Sequence, residues 1–362
     1  MTRVTGATGC CVRRASLAIV GIDLGATKTL VAIASIASGA VTRGEHRQRS
    51  WRRSPNAGRG SSAADAGVCI LAESRFPTPR SGPGAAIRAV ADGIAALLAG
   101  KGLPDSSLRA IGIGVPGVCD PVKGVVVWAP NLKGWRDVRL GSALGRRFGA
   151  AVMIENDADM AVLGESWRGA GRGMRNLVTL TVGTGIGGGV IANGSLVRGA
   201  GDVAGAAGWM PIGGIRLEAI ASGPAIVRRY SRLSRRGRRG ACPRRKLRLR
   251  LAGFAGPRGA EAVCRLAVRG DPAARRAVRE AAVALGRATA SLVSVLNPEA
   301  VVFGGGVMEG AGRLMLPVIR RETLRFAQPV AARQARILLS PLGNRAGLLG
   351  ALGAALSGSR SG

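Results

Sequence analysis

The sequence predicts an α/β protein of two domains. Three observations carry this. A chain of 362 residues exceeds the usual size of one domain. Short apolar runs of strand length alternate with longer segments of helical periodicity. Several of the strand-like runs end on glycines or on Asn-Asp, at the strand ends where open α/β sheets take up their ligands. With 57 glycines, 47% hydrophobic and only 3% aromatic residues, small aliphatic cores and many tight turns are expected.

Residues 1–15 read as a disordered basic leader. Residues 16–24 form a buried-strand pattern, Gly25-Ala26-Thr27-Lys28-Thr29 a turn, and 30–35 a second strand. This is not a Gly-x-x-x-x-Gly-Lys-Ser/Thr phosphate loop, and no helix follows it. The turn reads equally as an ordinary hairpin or as a set of backbone N–H groups, the Thr27 hydroxyl and the Lys28 charge offered to phosphate oxygens. Asp23, at the strand end, is placed to hold Mg2+ through water.

Residues 38–70 carry many arginines among Ser, Gly, Pro and Asn without hydrophobic period, and are expected to be a disordered insertion. A strand resumes over 69–73, a helix covers 84–99, and 110–115 is a further strand ending at Pro116-Gly117. Val125 to Trp128 and Asn131 fall in the connection after it, and 142–148 is helical. Next comes Val152-Met153-Ile154-Glu155-Asn156-Asp157-Ala158-Asp159, a strand that passes directly into a helix. Asn156-Asp157 reads either as a helix cap or as an acid held rigidly where it can accept a proton from a substrate hydroxyl.

Residues 176–182 are a strand followed by Gly183-Thr184-Gly185-Ile186-Gly187-Gly188-Gly189. The glycine spacing matches a dinucleotide fingerprint, but a strand and the hairpin turn Asn193-Gly194 follow instead of a helix, so a Rossmann site is disfavoured. Two glycine-turn hairpins of this kind are expected to face each other across a polyphosphate. Residues 228–250 form a second arginine-rich insertion. Asp271-Pro272 starts a helix that runs to Asn297-Pro298. A strand over 300–303 then ends on Gly304-Gly305-Gly306, where backbone can approach a ligand closely, and a last helix covers 347–356.

The net charge of +33 raises nucleic acid as a partner. Arginines cluster in the two insertion-like stretches without a reading module, so nonspecific adhesion is expected and no specific nucleic-acid partner. Six cysteines show no CxxC pair and the single His46 stands alone, which argues against a disulfide framework or a structural zinc site. No apolar run approaches membrane-spanning length, and the one near the N-terminus is too short for a signal core. A cytoplasmic protein without a membrane partner is expected.

Asp23-Leu24-Gly25-Ala26-Thr27-Lys28, Glu155-Asn156-Asp157-Ala158, the 180–189 glycine run and Val302-Phe303-Gly304-Gly305-Gly306 occur together and in order. The set resembles the ROK family of bacterial sugar kinases and sugar-responsive repressors, over about residues 16–37 and 70–358. The resemblance implies two actin-like (ribonuclease H-like) ATPase domains around a central cleft, the small one from 16–160 and 346–362, the large one from 161–345. It implies an ATP-dependent, Mg2+-assisted kinase of a hexose or N-acetylhexosamine, active as a homodimer, with a non-catalytic sugar- or nucleotide-binding regulator as the alternative. Asp157 would be the general base. Gly117, Asn131, Asn156 and Glu218 would contact the sugar, and Asp23, Gly25, Thr27, Lys28, Thr184, Gly185 and Gly305 would hold ATP. The family's Glu-x-Gly-His, whose Glu and His touch the sugar and whose His binds zinc with three cysteines, is here Ala206-Ala207-Gly208-Trp209 with no cysteine run. Zinc and two sugar contacts are expected to be lost. Trp209 would either stack on a sugar face or, the reading favoured here, fill the vacated space.

Overall fold

The computed structural model describes residues 5–6, 17–36, 68–239 and 259–359. The chain forms two compact units, one from Met1–Gly173, Asn193–Ala204 and Arg345–Gly362, the other from Met174–Ala192 and Gly205–Asn344.

The first unit holds a six-stranded sheet built from β1 (Thr5–Gly6), β2 (Leu17–Leu24), β3 (Lys28–Ile36), β4 (Val68–Pro77), β5 (Leu108–Val115) and β9 (Ala151–Asn156), in the order β1-β4-β3-β2-β5-β9. β2, β3 and β4 are antiparallel neighbours, whereas β2, β5 and β9 run parallel. Their near-continuous Val, Ile, Leu and Ala content is that of strands covered on both faces. Helix α1 (Pro83–Ala99) covers one face through Val90, Ile94, Leu97 and Leu98. A small sheet of β6 (Val118–Asp120), β7 (Val125–Trp128) and β8 (Arg136–Val138) and helix α2 (Leu140–Phe148) lie between β5 and β9 in the chain. Helix α3 (Asp157–Arg168) follows β9 without a loop.

In the second unit β10 (Leu177–Val182) pairs antiparallel with β11 (Ile186–Ala192) and parallel with β15 (Ala300–Gly304), which pairs parallel with β16 (Arg336–Leu339). Each unit therefore repeats one plan, a glycine-turn hairpin followed by two parallel strands. Asn193 and Gly194 both take positive φ, 52° and 82°, as the two-residue turn before β12 (Ser195–Leu196) requires. Short strands β13 (Pro211–Ile212) and β14 (Ile215–Arg216) lead into α4 (Leu217–Ala221), α5 (Gly223–Arg239), α6 (Ala260–Val268) and α7 (Pro272–Leu296). Asp271 caps α7 by accepting the Ala274 N–H, Pro272 opens it, and left-handed Asn297 closes it, as the sequence predicts. Helices α8 (Gly306–Phe326) and α9 (Pro329–Gln334) complete this unit. The closing helix α10 (Ala346–Gly358) returns to the first unit.

Several expectations change. The leader reading fails at Thr5–Gly6, which pair with Glu73 and Ala72 on the outer edge of β4. The rest of residues 1–15, like most of the 38–70 stretch, lies outside the described residues; β4 begins at Val68. The basic run from residue 228 is not an insertion at its start, because α5 continues to Arg239. Ile226 and Tyr230 are buried along one face of it, and Arg229 pairs with Glu280 of α7. Apolar residues at helical spacing were masked by the arginines between them. The expected domain boundary at 160 falls inside α3, and the first unit continues to Gly173. Cys69 is disulfide-bonded, while Cys119 and Cys264 are free and buried.

Helix α10 packs against β2, β5 and α3 at backbone distance. An added Cβ at Gly112 would lie 1.9 Å from the Ala351 carbonyl oxygen, and one at Gly350 would lie 1.7 Å from that of Met160. Helix propensity alone makes Gly350→Ala stabilising by about 1 kcal/mol. The clash, with no flexible atom to yield, reverses the sign and costs about 1–3 kcal/mol or more. Chemical denaturation should show Gly350→Ala clearly destabilised. Gly201→Ala, where nothing lies within 4 Å, should stay near wild type.

Candidate functional site

In the first unit the parallel strands β2, β5 and β9 bring their carboxyl ends to one edge of the sheet, where open sheets bind ligands. Asp23 stands near the end of β2 and Asn156 closes β9. Asn156 is the cap of α3: its Oδ1 accepts the Ala158 N–H at 2.8 Å, while its Nδ2 donates to the Gly117 carbonyl oxygen at 2.7 Å. Capping is thus done by Asn156, one residue before Asp157. Gly117 has φ 128°, and a Cβ there would lie 2.2 Å from the Trp128 carbonyl oxygen, so only glycine fits this approach to β7. Asn131 is exposed in the turn between β7 and β8.

Asp157 presents accessible surface, yet protein makes up most of its surroundings. A small ligand can reach the carboxylate, while the protein around it disfavours the charged form. Burial first, and the charge of Asp23 second, push its pKa up to about 7. Asp23 is likewise raised by burial, to about 6, with Lys28 pulling the other way. Asp157 is therefore poised to accept a proton near neutral pH, and Asp23 to gain from a bound cation.

The β2–β3 turn is closed by Gly25 N–H donating to the Lys28 carbonyl oxygen at 3.0 Å, where a Gly25 Cβ would intrude at 2.8 Å. Thr27 is exposed and Lys28 half-buried. Thr78, after β4, pins this turn: its hydroxyl donates to the Gly25 carbonyl oxygen at 2.7 Å and its N–H to that of Thr27. Sequence reasoning missed Thr78, since the long stretch after β3 hides their adjacency.

In the second unit the β10–β11 turn is closed by Gly183 N–H to the Gly185 carbonyl oxygen at 2.9 Å, with Thr184 exposed at its tip. Glu218, in the first turn of α4, accepts the Ile186 N–H at 2.8 Å, and a Cβ at Gly185 would lie 2.6 Å from its Oε2. Gly305, φ 88°, lies against the end of β10, its added Cβ 2.6 Å from the Val182 carbonyl oxygen. Gly223 N–H donates to the Gly183 carbonyl oxygen. The N-termini of α5 and α8 thus converge on the glycine turn, an arrangement whose free N–H groups and dipoles suit an anion. Thr184, Gly185, Glu218 and Gly305 form one group. The α5 N-terminus was not foreseen, although Ser222-Gly223-Pro224 carries a helix-start signal.

The vacated-space reading of Trp209 fails. The short 3-10 turn Ala207–Trp209 directs Ala207 inward and leaves Trp209 68% exposed, with the Arg216 guanidinium 4.5 Å from its ring centre. Gly208 lies against the Ile186 carbonyl oxygen and Glu218, so the turn has no inward room for an indole. Among the described residues no group of three His, Cys, Asp or Glu side chains is placed to hold a metal ion, and no helix is long and apolar enough to cross a membrane.

Asp159, in the first turn of α3, is 5% exposed and its Oδ1 lacks a hydrogen-bond partner. Burial and then Glu155 raise its pKa to about 7, against the pull of Arg198. The folded state thus binds a proton that the unfolded chain releases. Its stabilising effect is complete below the ordinary carboxylate range and is lost as pH rises through about 7. Asp159→Asn, which mimics the protonated acid, should melt near wild type below about pH 4 and higher than wild type at pH 8.

The profile of the ROK family matches residues 62–357. A glucokinase from Halalkalibacterium halodurans is 35% identical over 294 residues, 78% of this chain and 86% of that protein. A putative xylose repressor from Caldicellulosiruptor is 33% identical over 261 residues, 69% of this chain and 63% of that protein. The crystal structure of a ROK family glucokinase from Streptomyces griseus in complex with glucose and AMPPNP superposes with a TM-score of 0.71 at 28% identity, covering 94% of this chain and 99% of that one.

Proposed function

The chain belongs to the ROK family, and we propose that it transfers the γ-phosphoryl group of ATP to a hydroxyl of a hexose or N-acetylhexosamine, with Asp157 as general base. The observation that supports this most is Asp157 itself: accessible, carried on rigid backbone at a strand end, and with its pKa raised to about 7. Phosphoryl transfer asks a protein for positioning and charge stabilisation. Asp157 would take the hydroxyl proton as the bond to phosphorus forms. Asn156 has an N–H to spare beyond its bond to Gly117, and Glu218 an oxygen to spare beyond Ile186. With Asn131 and the Gly117 backbone, these supply the sugar contacts.

Gly25, Thr27 and Lys28 on one glycine turn, Thr184 and Gly185 on the other, and Gly305 would hold the nucleotide. Asp23 would hold Mg2+, usually through water, and that ion supplies neutralisation of phosphate charge when bound. The Streptomyces griseus relative was crystallised with glucose and an ATP analogue, which supports both ligand classes for this chain. Zinc has no part in the reading.

A second reading, a non-catalytic sugar-responsive regulator, is favoured by Ala206 and Trp209 at positions where family members carry Glu and His, and by the likeness to a repressor. A coupled ATPase assay across hexoses and N-acetylhexosamines separates the two. Sugar-dependent turnover is expected, and its absence with every sugar that binds would leave the regulator. Asp157→Asn should keep the fold and sugar binding and lose about 10²–10⁴-fold in kcat; near-normal turnover would remove Asp157 from the mechanism.

Exposed Trp209 offers its ring face to the sugar. Trp209→Ala should raise the KM for sugar roughly fivefold, about 1 kcal/mol, and leave that for ATP unchanged. An equal rise in both would remove Trp209 from sugar recognition.

A further inference from the structure

β9 is an edge strand whose ladder partner is β5, through Gly114↔Glu155 and Val115↔Asn156. The backbone that delivers Asn156 and Asp157 is thus hydrogen-bonded from one side. Glu155, one residue before Asn156, is 7% exposed, and Asp159 beyond it is 5% exposed. Two buried carboxyls of like sign flank Asp157, and Asp202 also bears on Asp159. Arg198 meets this cluster: its Nε donates to Glu155 Oε1 at 2.9 Å, and its Nη2 donates to the same oxygen. The Arg198 main chain is fixed as well, since its carbonyl oxygen accepts the Ala204 N–H at 2.9 Å and so closes a loop in which Gly199 and Asp202 take positive φ. A guanidinium carried on a closed loop is a rigid anchor.

We propose that Arg198 is a positioning residue for Asp157: by gripping Glu155 it secures the end of the edge strand from which Asn156 and Asp157 project. The kinetic half of this rests on the kinase reading above, the structural half on the geometry alone. Without Arg198, Glu155 is a buried charge with no partner. It then either takes up a proton or swings toward water, and in both cases the strand end loses its second anchor. The charged or titratable groups around the pair are Asp157, Asp159, Asp202 and Cys119. Where Glu155 keeps its charge, loss of the guanidinium leaves uncompensated negative charge two residues from Asp157, which favours the protonated form of Asp157.

Three variants separate position from charge. R198K keeps the charge and loses the planar fork, R198M removes the charge, and R198M/E155Q removes both charges of the pair. All three should lose about tenfold or more in kcat, the size of effect that sub-ångström misplacement of a reacting group produces, with KM for sugar and ATP changed less than about threefold. The acid limb of kcat/KM should move to higher pH in R198M and return in R198M/E155Q. Wild-type kcat in R198K, or recovery of kcat in the double variant, would reduce Arg198 to a neutralising charge and overturn the proposal.

Hydrogen-exchange mass spectrometry of the peptide over 152–160 needs no turnover. R198M should speed exchange there about tenfold relative to α10. No change, or an equal rise in both, would overturn the proposal even if no sugar were turned over. Absence of turnover in the wild type would count against the kinase reading alone.

Discussion

The first unit depends on one close contact, the seam between α10 and the elements beneath it. Added Cβ atoms at Gly21, Gly112, Gly164 and Gly350 would all collide with α10 or α3 backbone. Backbone atoms cannot turn aside as side chains do, so the spacing between α10, β2, β5 and α3 is set to within a few tenths of an ångström. Asp23 stands near the end of β2 and Asp157 at the start of α3. The seam therefore fixes the two elements that carry the carboxyls. Gly347, in the first turn of α10, lies directly against Asp23, where an added Cβ would come 3.4 Å from the carboxyl carbon.

That rigidity bears on charge. Burial on fixed backbone raises the pKa of both carboxyls, to about 6 at Asp23 and about 7 at Asp157, and the charge of Asp23 adds to the rise at Asp157. A loop would move and let water in; a strand end and a helix start do not. Both carboxylates are poorly solvated as anions, a cost that a nearby cation or a gained proton would offset. A cation near Asp23 lowers the potential on both groups, and a hydroxyl proton taken by Asp157 removes its charge. On the kinase reading, a site built this way would gain from binding metal-bound phosphates and from the proton transfer, the two events that phosphoryl transfer requires.

The strands were legible in the sequence because their runs of Val, Ile, Leu and Ala are covered on both faces and bounded by glycine. The ends of α7 were legible because Asp271-Pro272 is a helix-start pair and the helical period stops at Asn297-Pro298. Arg228 to Arg235 misled, since α5 writes its buried face in a few residues, Ala225, Ile226 and Tyr230 among them, while the exposed face is arginine. Composition measures the whole segment, and burial depends on one stripe of it. Thr78 and Arg198 were illegible for a different reason. Each acts on a partner more than forty residues away, Gly25 and Glu155, and no local pattern encodes such a contact. Trp209 misled because a large aromatic is read as core, whereas the 3-10 turn allows only Ala207 and Gly208 to face inward.

The position of that turn shows why its altered residues need not disable the chain. Gly208 touches the Ile186 carbonyl oxygen and Glu218, and Glu218 in turn holds the Ile186 N–H beside the glycine turn. These contacts use a glycine and a backbone carbonyl on the turn, so they survive whatever side chains stand at 206 and 209. Ala206 and Trp209 therefore alter what the turn can recognise and leave intact the scaffold that shapes the 183–186 turn. A ring face with an arginine behind it discriminates by shape and apolar surface, where a Glu and a His discriminate by hydrogen bonds. Loss of hydrogen-bond readers lowers selectivity among hydroxyl patterns more than it lowers binding, because a site with no buried polar group left unpaired penalises a mismatched sugar little. On the kinase reading, the expected outcome is a broad preference among hexoses, seen as similar kcat/KM for epimers in one assay panel.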